Sequence, residues 1–424
     1  MRERLAMLHA GLDFGTTNST LGVCGEGGGA PRLLALEGEH RTIPSALFFS
    51  LEDGRTYFGR AAVHEYVDGA EGRFMRALKS ILGTRLMGET TLVGRERLGF
   101  EALIGRFLAH LKGKLEAETG APAGACVFGR PVRFVDEDDA ADAKAEAQLA
   151  SAARAQGFTH VEFQFEPVAA ALYYESRIAE ERLALVVDIG GGTSDFTVVR
   201  LSPERARHPD RRDDLLASTG VHVGGTDFDR LLNIATLQPL LGLGSATADG
   251  KRQMPVWYFN DLATWHRVNF LYTPKVARDA ADLKREAAEP EKLGRFAHVI
   301  RHRSGHRLAG AVETAKIALT DAAETAIRHR EPGLALETAV SREDFERATA
   351  ELVARIEAAI DAALAAAGVK PDAIETVILT GGGAQVPAVF RAATGRFPAA
   401  EIARSDAFGS VGLGLALDAR RRFG

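Results

Sequence analysis

Short apolar runs that close on glycine alternate along this chain with longer stretches of helical spacing. Gly11-Leu12-Asp13-Phe14 runs into Gly15-Thr16-Thr17-Asn18-Ser19-Thr20 and then resumes as an apolar strand. Val186-Val187-Asp188-Ile189 runs into Gly190-Gly191-Gly192-Thr193-Ser194-Asp195 and resumes over residues 196–199. Both read as strand–turn–strand hairpins with an aspartate near the end of the first strand. A repeat of this kind predicts a duplicated architecture, two similar lobes that each present one hairpin to a shared cleft. Residues 139–156 form an Ala-rich helical stretch before Gly157, and residues 341–367 open with Ser341 and Asp344 at capping-box spacing and stop at Gly368. Residues 376–380 read as a short buried strand running into Gly381, Gly382 and Gly383, with a helix after Pro387. Strands alternating with helices define the α/β class.

Residues 238–310 break the alternation, with no strand pattern, and read as an insertion or lobe-tip subdomain. Trp257, Tyr258, Phe259, Trp265, Phe270 and Tyr272 are expected to form its local core in preference to a partner patch. His298, His302 and His306 recur at four-residue spacing and read as a solvated basic face in preference to a metal set. Arg420, Arg421 and Arg422 read as a charge cluster at a helix C-terminus.

Composition narrows the class. The 424 residues are 46% hydrophobic and 26% charged with a net charge of −5, the profile of a globular protein. The mildly acidic balance disfavours nucleic acid as the main ligand. Cys24 and Cys126 lie far apart and form no metal or disulfide framework. The residues before Gly11 carry too short an apolar run for a signal peptide, and no run of about 18 apolar residues reads as a membrane span. A cytoplasmic location is expected, with no membrane partner.

The glycine clusters carry the chemistry. Glycines after strands let backbone N–H groups approach a ligand closely, which suits phosphate. Asp13 and Asp188 repel phosphate, so beside such turns they suit Mg²⁺ held through its own waters. Asp195 supplies a further carboxylate to that water shell, and Thr16, Thr17 and Thr193 offer hydroxyls to phosphate oxygens.

These motifs resemble the two phosphate hairpins of the actin, sugar-kinase and seventy-kilodalton heat-shock ATPase superfamily. Further segments are similar to its heat-shock, DnaK-type branch: Arg41-Thr42-Ile43-Pro44-Ser45, the stretch 74–83 around Lys79, Pro131-Val132-Arg133-Phe134, Glu166-Pro167-Val168, the hairpin-type motif Val223-Gly224-Gly225-Thr226-Asp227-Phe228-Asp229, and Glu313-Thr314-Ala315-Lys316. The resemblance implies an actin-like ATPase fold of two duplicated, ribonuclease H-like lobes around a nucleotide cleft, residues 1–180 and 181–424. It implies ATP or ADP with Mg²⁺ as cofactors and slow hydrolysis of ATP. By it, Lys79, Glu166 and Asp188 are catalytic, and Asp13, Asp188 and Asp195 surround the metal. Gly15, Thr16, Thr17, Gly190, Gly191, Gly192, Thr193, Gly224 and Gly225 then hold phosphates. Glu313, Lys316, Thr320, Gly381, Gly382, Gly383 and Asp406 border the nucleotide.

The departures carry consequences of their own. The family's adenine-stacking arginines fall on Ile317 and Gln385, and no clear counterpart of its relay arginine follows Phe134. The chain stops at Gly424, so the peptide-binding domain is expected to be missing, as in truncated, YegD-type members. Nucleotide is the expected partner, with unfolded protein or co-chaperones beside it and a monomeric state. Two other functions remain open: a filament-forming, MreB-type ATPase, and a sugar kinase, for which no base aspartate is identified by motif.

Overall fold

The computed structural model describes residues 9–24, 29–135, 138–208, 210–404 and 409–424. Two sheets of matching order form its framework. In the first, Pro31–Leu33, Asn18–Cys24 and His9–Phe14 run antiparallel, and Ala125–Arg130 and His160–Phe165 continue parallel to His9–Phe14. In the second, Leu215–Val221, Ser194–Leu201 and Arg182–Ile189 run antiparallel, and Thr376–Thr380 and Glu401–Arg404 continue in parallel. The duplication read from the two hairpin motifs therefore extends to whole sheets. Thr42–Pro44 adds to the first sheet by pairing with Asn18–Cys24.

A helix leaves the last strand of each sheet and crosses to the other. Glu166–Glu175 follows the first sheet, and its Ala169, Ala170 and Ala171 bury against Val186, Val199 and Ile378 of the second. Ser410–Phe423 follows the second sheet and packs on the first, where a Cβ added to Gly11 would lie 2.3 Å from Ala416 N. The two helices meet at Gly414, whose added Cβ would fall 1.7 Å from the Ala169 carbonyl oxygen. Residues 410–423 thus rest on the sheet of residues 9–24. Polar contacts fix the crossing: Gln164 Nε2 donates to Asp418 Oδ2 at 3.0 Å, and Arg422 Nε donates to the same oxygen at 2.8 Å. The arginine cluster is therefore tied down, with Arg420 Nη1 donating to Gly29 O at 3.1 Å.

The expected helices form where their signals lie. Asp139–Ala155 is capped by Asp138, and Arg342–Ala367 by Ser341, whose Oγ accepts from Asp344 N at 3.1 Å and donates to Asp344 Oδ2 at 2.6 Å. A positive-φ glycine, Gly368, ends the longer one.

Residues 238–310 are helical, including Val256–Ala263, Pro274–Glu286 and Pro290–Arg301, and run on into Gly305–Asp321. Two expectations need correction here. The aromatics divide: Tyr258 and Phe259 are buried in a core continuous with the second sheet, while Trp257 and Phe270 are 49% and 68% exposed. Nor do the three histidines form a solvated face. His306 is buried with Nε2 3.0 Å from Trp265 O, and burial pushes its pKa down to about 4. His298 stacks on His302 at 4.1 Å and lies 3.1 Å from Glu331. His298 lies on Pro290–Arg301, His302 caps that helix, and the turn at Ser304 separates both from His306, so the spacing does not describe one helix.

The small sheet of Ala46–Ser50, Thr56–Phe58 and Gly72–Arg76 projects from the first lobe and meets this tip. Tyr66 stacks on Phe74 at 4.2 Å and meets His306 edge-on at 4.7 Å.

The helix crossing predicts a contrast between two glycine variants. Gly414→Ala forces a methyl into a neighbouring carbonyl and lowers the unfolding free energy by about 3 kcal/mol. Gly310→Ala has open space on a helix and raises it by about 0.5–1 kcal/mol. Urea unfolding of both checks this; equal midpoints contradict the packing.

Candidate functional site

The two hairpins meet tip to tip. A Cβ on Gly191 would lie 2.3 Å from Thr17 Oγ1, so only glycine lets the turns approach this closely. The first turn is held from below by Ser45, whose N donates to Thr17 O at 2.8 Å and whose Oγ donates to Gly15 O at 2.7 Å. The Ser19 and Ser45 hydroxyls are 2.8 Å apart and buried. The second turn is held by the segment that starts Gly225–Thr236. Gly225 N donates to Gly190 O at 2.9 Å, and Thr226 donates to Gly191 O from N at 2.8 Å and from Oγ1 at 2.7 Å.

That segment corrects the hairpin expectation for residues 223–229. Leu215–Val221 ends, and Gly224 becomes the N-cap of a helix. Asp227 Oδ2 accepts from Gly224 N at 3.0 Å, a local bond that starts a helix instead of a return strand. Helix N-terminal N–H groups beside a glycine turn favour anions.

Beneath the tips lies a cluster of ionisable groups. Asp13 pairs with Thr20 across the first hairpin and Asp188 with Asp195 across the second. Lys79 is buried on a short turn, Leu78–Ile81, and its Nζ donates to Glu166 Oε1. Glu166 opens the crossing helix with Pro167 behind it, so it serves the helix N-terminus and faces Lys79 at once. The turn is preceded by Ala77 in the left-handed region at φ 56°, a conformation that costs a residue with a Cβ roughly 1 kcal/mol.

The electrostatics are unbalanced. Burial, then Glu166, pushes the Asp13 pKa up to about 7 against the pull of Lys79. Burial, then Asp195, Glu166 and Asp13, pushes Asp188 up to about 8. Burial also disfavours the Lys79 ammonium, but Glu166, Asp13 and Asp188 overcome it and hold the lysine pKa above its ordinary value. Several carboxylates face one ammonium, so added positive charge relieves the cluster. Among the described residues no three acids, histidines or cysteines converge closely enough to ligate a metal directly, so a cation here would be held through its own waters.

The remaining expected residues lie to one side. Lys316, on Gly305–Asp321, donates to Asp229 Oδ2 at 2.9 Å and to Gly225 O at 3.3 Å, which ties that helix to the second turn. Glu313 lies one turn before Lys316, and Thr320 one turn after it. Gly381 has φ 78°, and an added Cβ would lie 2.2 Å from Ile189 O and 2.8 Å from Asp188 Oδ1. Gly382 and Gly383 continue it as the turn Gly382–Gln385. Gly192 and Thr193 sit exposed at the second tip. Asp406 lies outside the described residues. Three supporting side chains escaped the sequence reading: Ser45, Thr226 and Asp229. Ser45 and Asp229 close the quoted segments, and hydroxyl or carboxylate groups at motif ends were the available signal.

A sequence profile of the Hsp70 protein family matches residues 88–236 and 299–419, and the two stretches flank the helical tip. The chaperone protein DnaK of Trichormus variabilis is 27% identical over 402 residues, which cover 89% of this chain and 49% of the relative. A chaperone protein DnaK of Thermus thermophilus is 28% identical over 406 residues, covering 89% and 55%. The chain spans about half the length of the curated relatives it matches.

The raised carboxylates predict a pH dependence. The native cluster binds more protons than the unfolded chain between about pH 4 and about pH 8, so stability falls as pH rises through that window. Without metal or nucleotide, the urea midpoint falls from about pH 5 to about pH 8, and Asp188→Asn flattens the fall. A midpoint that rises over this window contradicts the charge distribution.

Proposed function

The chain belongs to the Hsp70 protein family, whose actin-like ATPase fold its paired sheets display, and we propose that it binds ATP with Mg²⁺ in the cleft between the hairpins and hydrolyses it slowly to ADP and phosphate. One observation carries this reading: the buried Lys79 pairs with Glu166 beside the part-buried Asp13 and Asp188 under two duplicated glycine turns.

In the proposed mechanism, backbone N–H groups of Gly15, Gly190, Gly191 and Gly192 and the hydroxyls of Thr16, Thr17 and Thr193 donate to phosphate oxygens. Lys79 Nζ donates to a γ-phosphate oxygen as a point charge. Asp13, Asp188 and Asp195 would hold Mg²⁺, which would supply positive charge to the phosphates. Glu166 accepts a hydrogen bond from the attacking water and aligns it with the γ-phosphorus. Rate then comes from positioning and fixed charge, with no covalent step on the protein.

Glu313, Lys316, Thr320 and the turn 381–383 would border the nucleoside. Ile317 is 60% exposed beside Lys316, an aliphatic side chain where the family resemblance implies a stacking arginine. The base then lacks a guanidinium partner. A chaperone role with unfolded protein or co-chaperones as partners, and a cytoplasmic location, belong to the same proposal. Among the described residues, no helix is long and apolar enough to cross a membrane.

Asp13→Asn and Lys79→Ala are each expected to lower ATP turnover by about a hundredfold, the scale of lost charge stabilisation. Near-normal turnover in both variants overturns the mechanism. Calorimetry is expected to give ATP and GTP affinities within about tenfold of each other, the effect of a stack worth about 1 kcal/mol. A far tighter ATP complex contradicts the weak reading of the base.

A further inference from the structure

A hollow of about 460 Å³ lies where two helices of the tip meet the hairpin formed by Glu324–Glu331 and Leu334–Ser341. Lys284 reaches it from Pro274–Glu286, and Arg295 and His298 reach it from Pro290–Arg301. Gly333 and Leu334 close it from the hairpin. No residue assigned to the nucleotide lines it, so the proposed ATPase leaves its chemistry unused.

Two glycines shape it. An added Cβ at Gly294 would fall 3.3 Å from Lys284 Cε and 3.5 Å from its Nζ, so the lysine lies along bare helix backbone, one turn before His298. Gly333, at φ 83°, turns the hairpin against the imidazole, where an added Cβ would fall 3.0 Å from His298 Cε1. The Nε2 of that ring lies 3.1 Å from Glu331 Oε1. Glu331 already accepts from Arg307 Nη2 at 2.7 Å, so its charge is met outside the hollow.

The charges select the ligand class. Among the described residues neither Lys284 nor Arg295 pairs with a carboxylate, and Arg295 Nη1 meets the Leu240 carbonyl at 3.3 Å. Their neighbours Arg285 and Lys292 are paired, with Asp282 and Glu289. Glu291 is the one acid in the lining; it is exposed in the first turn of its helix, where the dipole favours its charge. Two unpaired cations against one exposed carboxylate leave the lining positive and favour an anion. Lys284 also suits the last turn of its own helix, but that does not account for its convergence with Arg295 on one hollow.

A guanidinium fork and a point-charge ammonium suit a tetrahedral phosphate, which accepts hydrogen bonds from several directions at once. The volume is that of a small-molecule site and exceeds a lone phosphate group, while Pro290 and Leu334 supply an apolar side. We propose that the hollow binds a small organic phosphate monoester, with Lys284 and Arg295 on the phosphate and the organic part over Pro290 and Leu334.

Calorimetry on the full chain tests this, with ADP and Mg²⁺ present to fill the cleft. The probes are glucose 6-phosphate, glycerol 3-phosphate and inorganic phosphate, with succinate as a dicarboxylate. At least one ester is expected to bind with a Kd below about 5 mM, and about fivefold or more tighter than inorganic phosphate or succinate. Lys284→Ala and Arg295→Ala are each expected to weaken that ester about tenfold, with thermal unfolding as the control for folding. Lys292→Ala removes a nearby charge outside the lining and is expected to change the affinity less than about twofold. Any of four results overturns the site: no ester saturating below about 50 mM, succinate or inorganic phosphate equalling the best ester, undiminished binding in both folded lining variants, or equal loss in all three variants. Repeating the titration without nucleotide separates this site from the cleft, since an ester displaced by ADP overturns the assignment. If ADP itself does not bind, the nucleotide reading fails while the ester titration still decides this one.

Discussion

Too much negative charge is gathered around one buried lysine, and the rest of the molecule can be understood from that constraint. Asp13 and Asp188 come from different lobes, yet Asp13 raises the Asp188 carboxyl toward its neutral form, and Glu166 raises both. Lys79 cannot neutralise them all while it is hydrogen-bonded to Glu166. An isolated protein would do better with an apolar core here, since removing water from charges costs more than one pairing returns. A cluster kept in this state stores a preference for added cations, which makes it suited to a hydrated metal and its phosphates. Stability is given up where binding chemistry is set.

The scaffold holds the acids in place by crossing its helices. Each lobe sends a helix onto the other's sheet, and glycines at 11, 22 and 414 bring backbone against backbone at the crossing. The catalytic candidate Glu166 begins one of these helices, so its carboxylate is fixed by the same packing that joins the lobes. At the far end of that helix, Glu175 accepts from both terminal nitrogens of the fully buried Arg211, at 2.9 and 2.8 Å. A charge in the cleft and a buried ion pair therefore sit at opposite ends of one rigid element. A shift of Glu166 cannot occur without strain along that helix, because close-packed interiors deform in discrete steps.

The sequence made some of this legible and hid the rest for physical reasons. Asp13, Asp188 and the glycine turns were visible because hairpin periodicity and turn chemistry are local. Lys79 and Glu166 were visible only through family resemblance, since a lysine and a glutamate 87 positions apart carry no local sign of pairing. The crossing of residues 410–423 onto the first sheet was hidden, because apolar helix faces do not say which sheet they cover. The turn at Gly224 was misread as a hairpin because glycine pairs serve turns and helix caps alike; the Asp227 side chain decides it. His306 was misread because spacing alone cannot detect the break at Ser304 or the rings of Tyr66 and Trp265 around it. Asp229 stood in a quoted motif, but its Oδ1, buried with no hydrogen-bond partner among the described residues, is a property of tertiary packing.

The central claim is that the buried acids are arranged for a metal–nucleotide complex spanning both lobes. Titrating the full chain with ADP by calorimetry, with Mg²⁺ and then with the metal chelated, tests it most directly. The account predicts that chelation weakens ADP binding by about a hundredfold or more, because phosphates then meet the carboxylates without an intervening cation. ADP affinity that is the same with and without Mg²⁺ would contradict it.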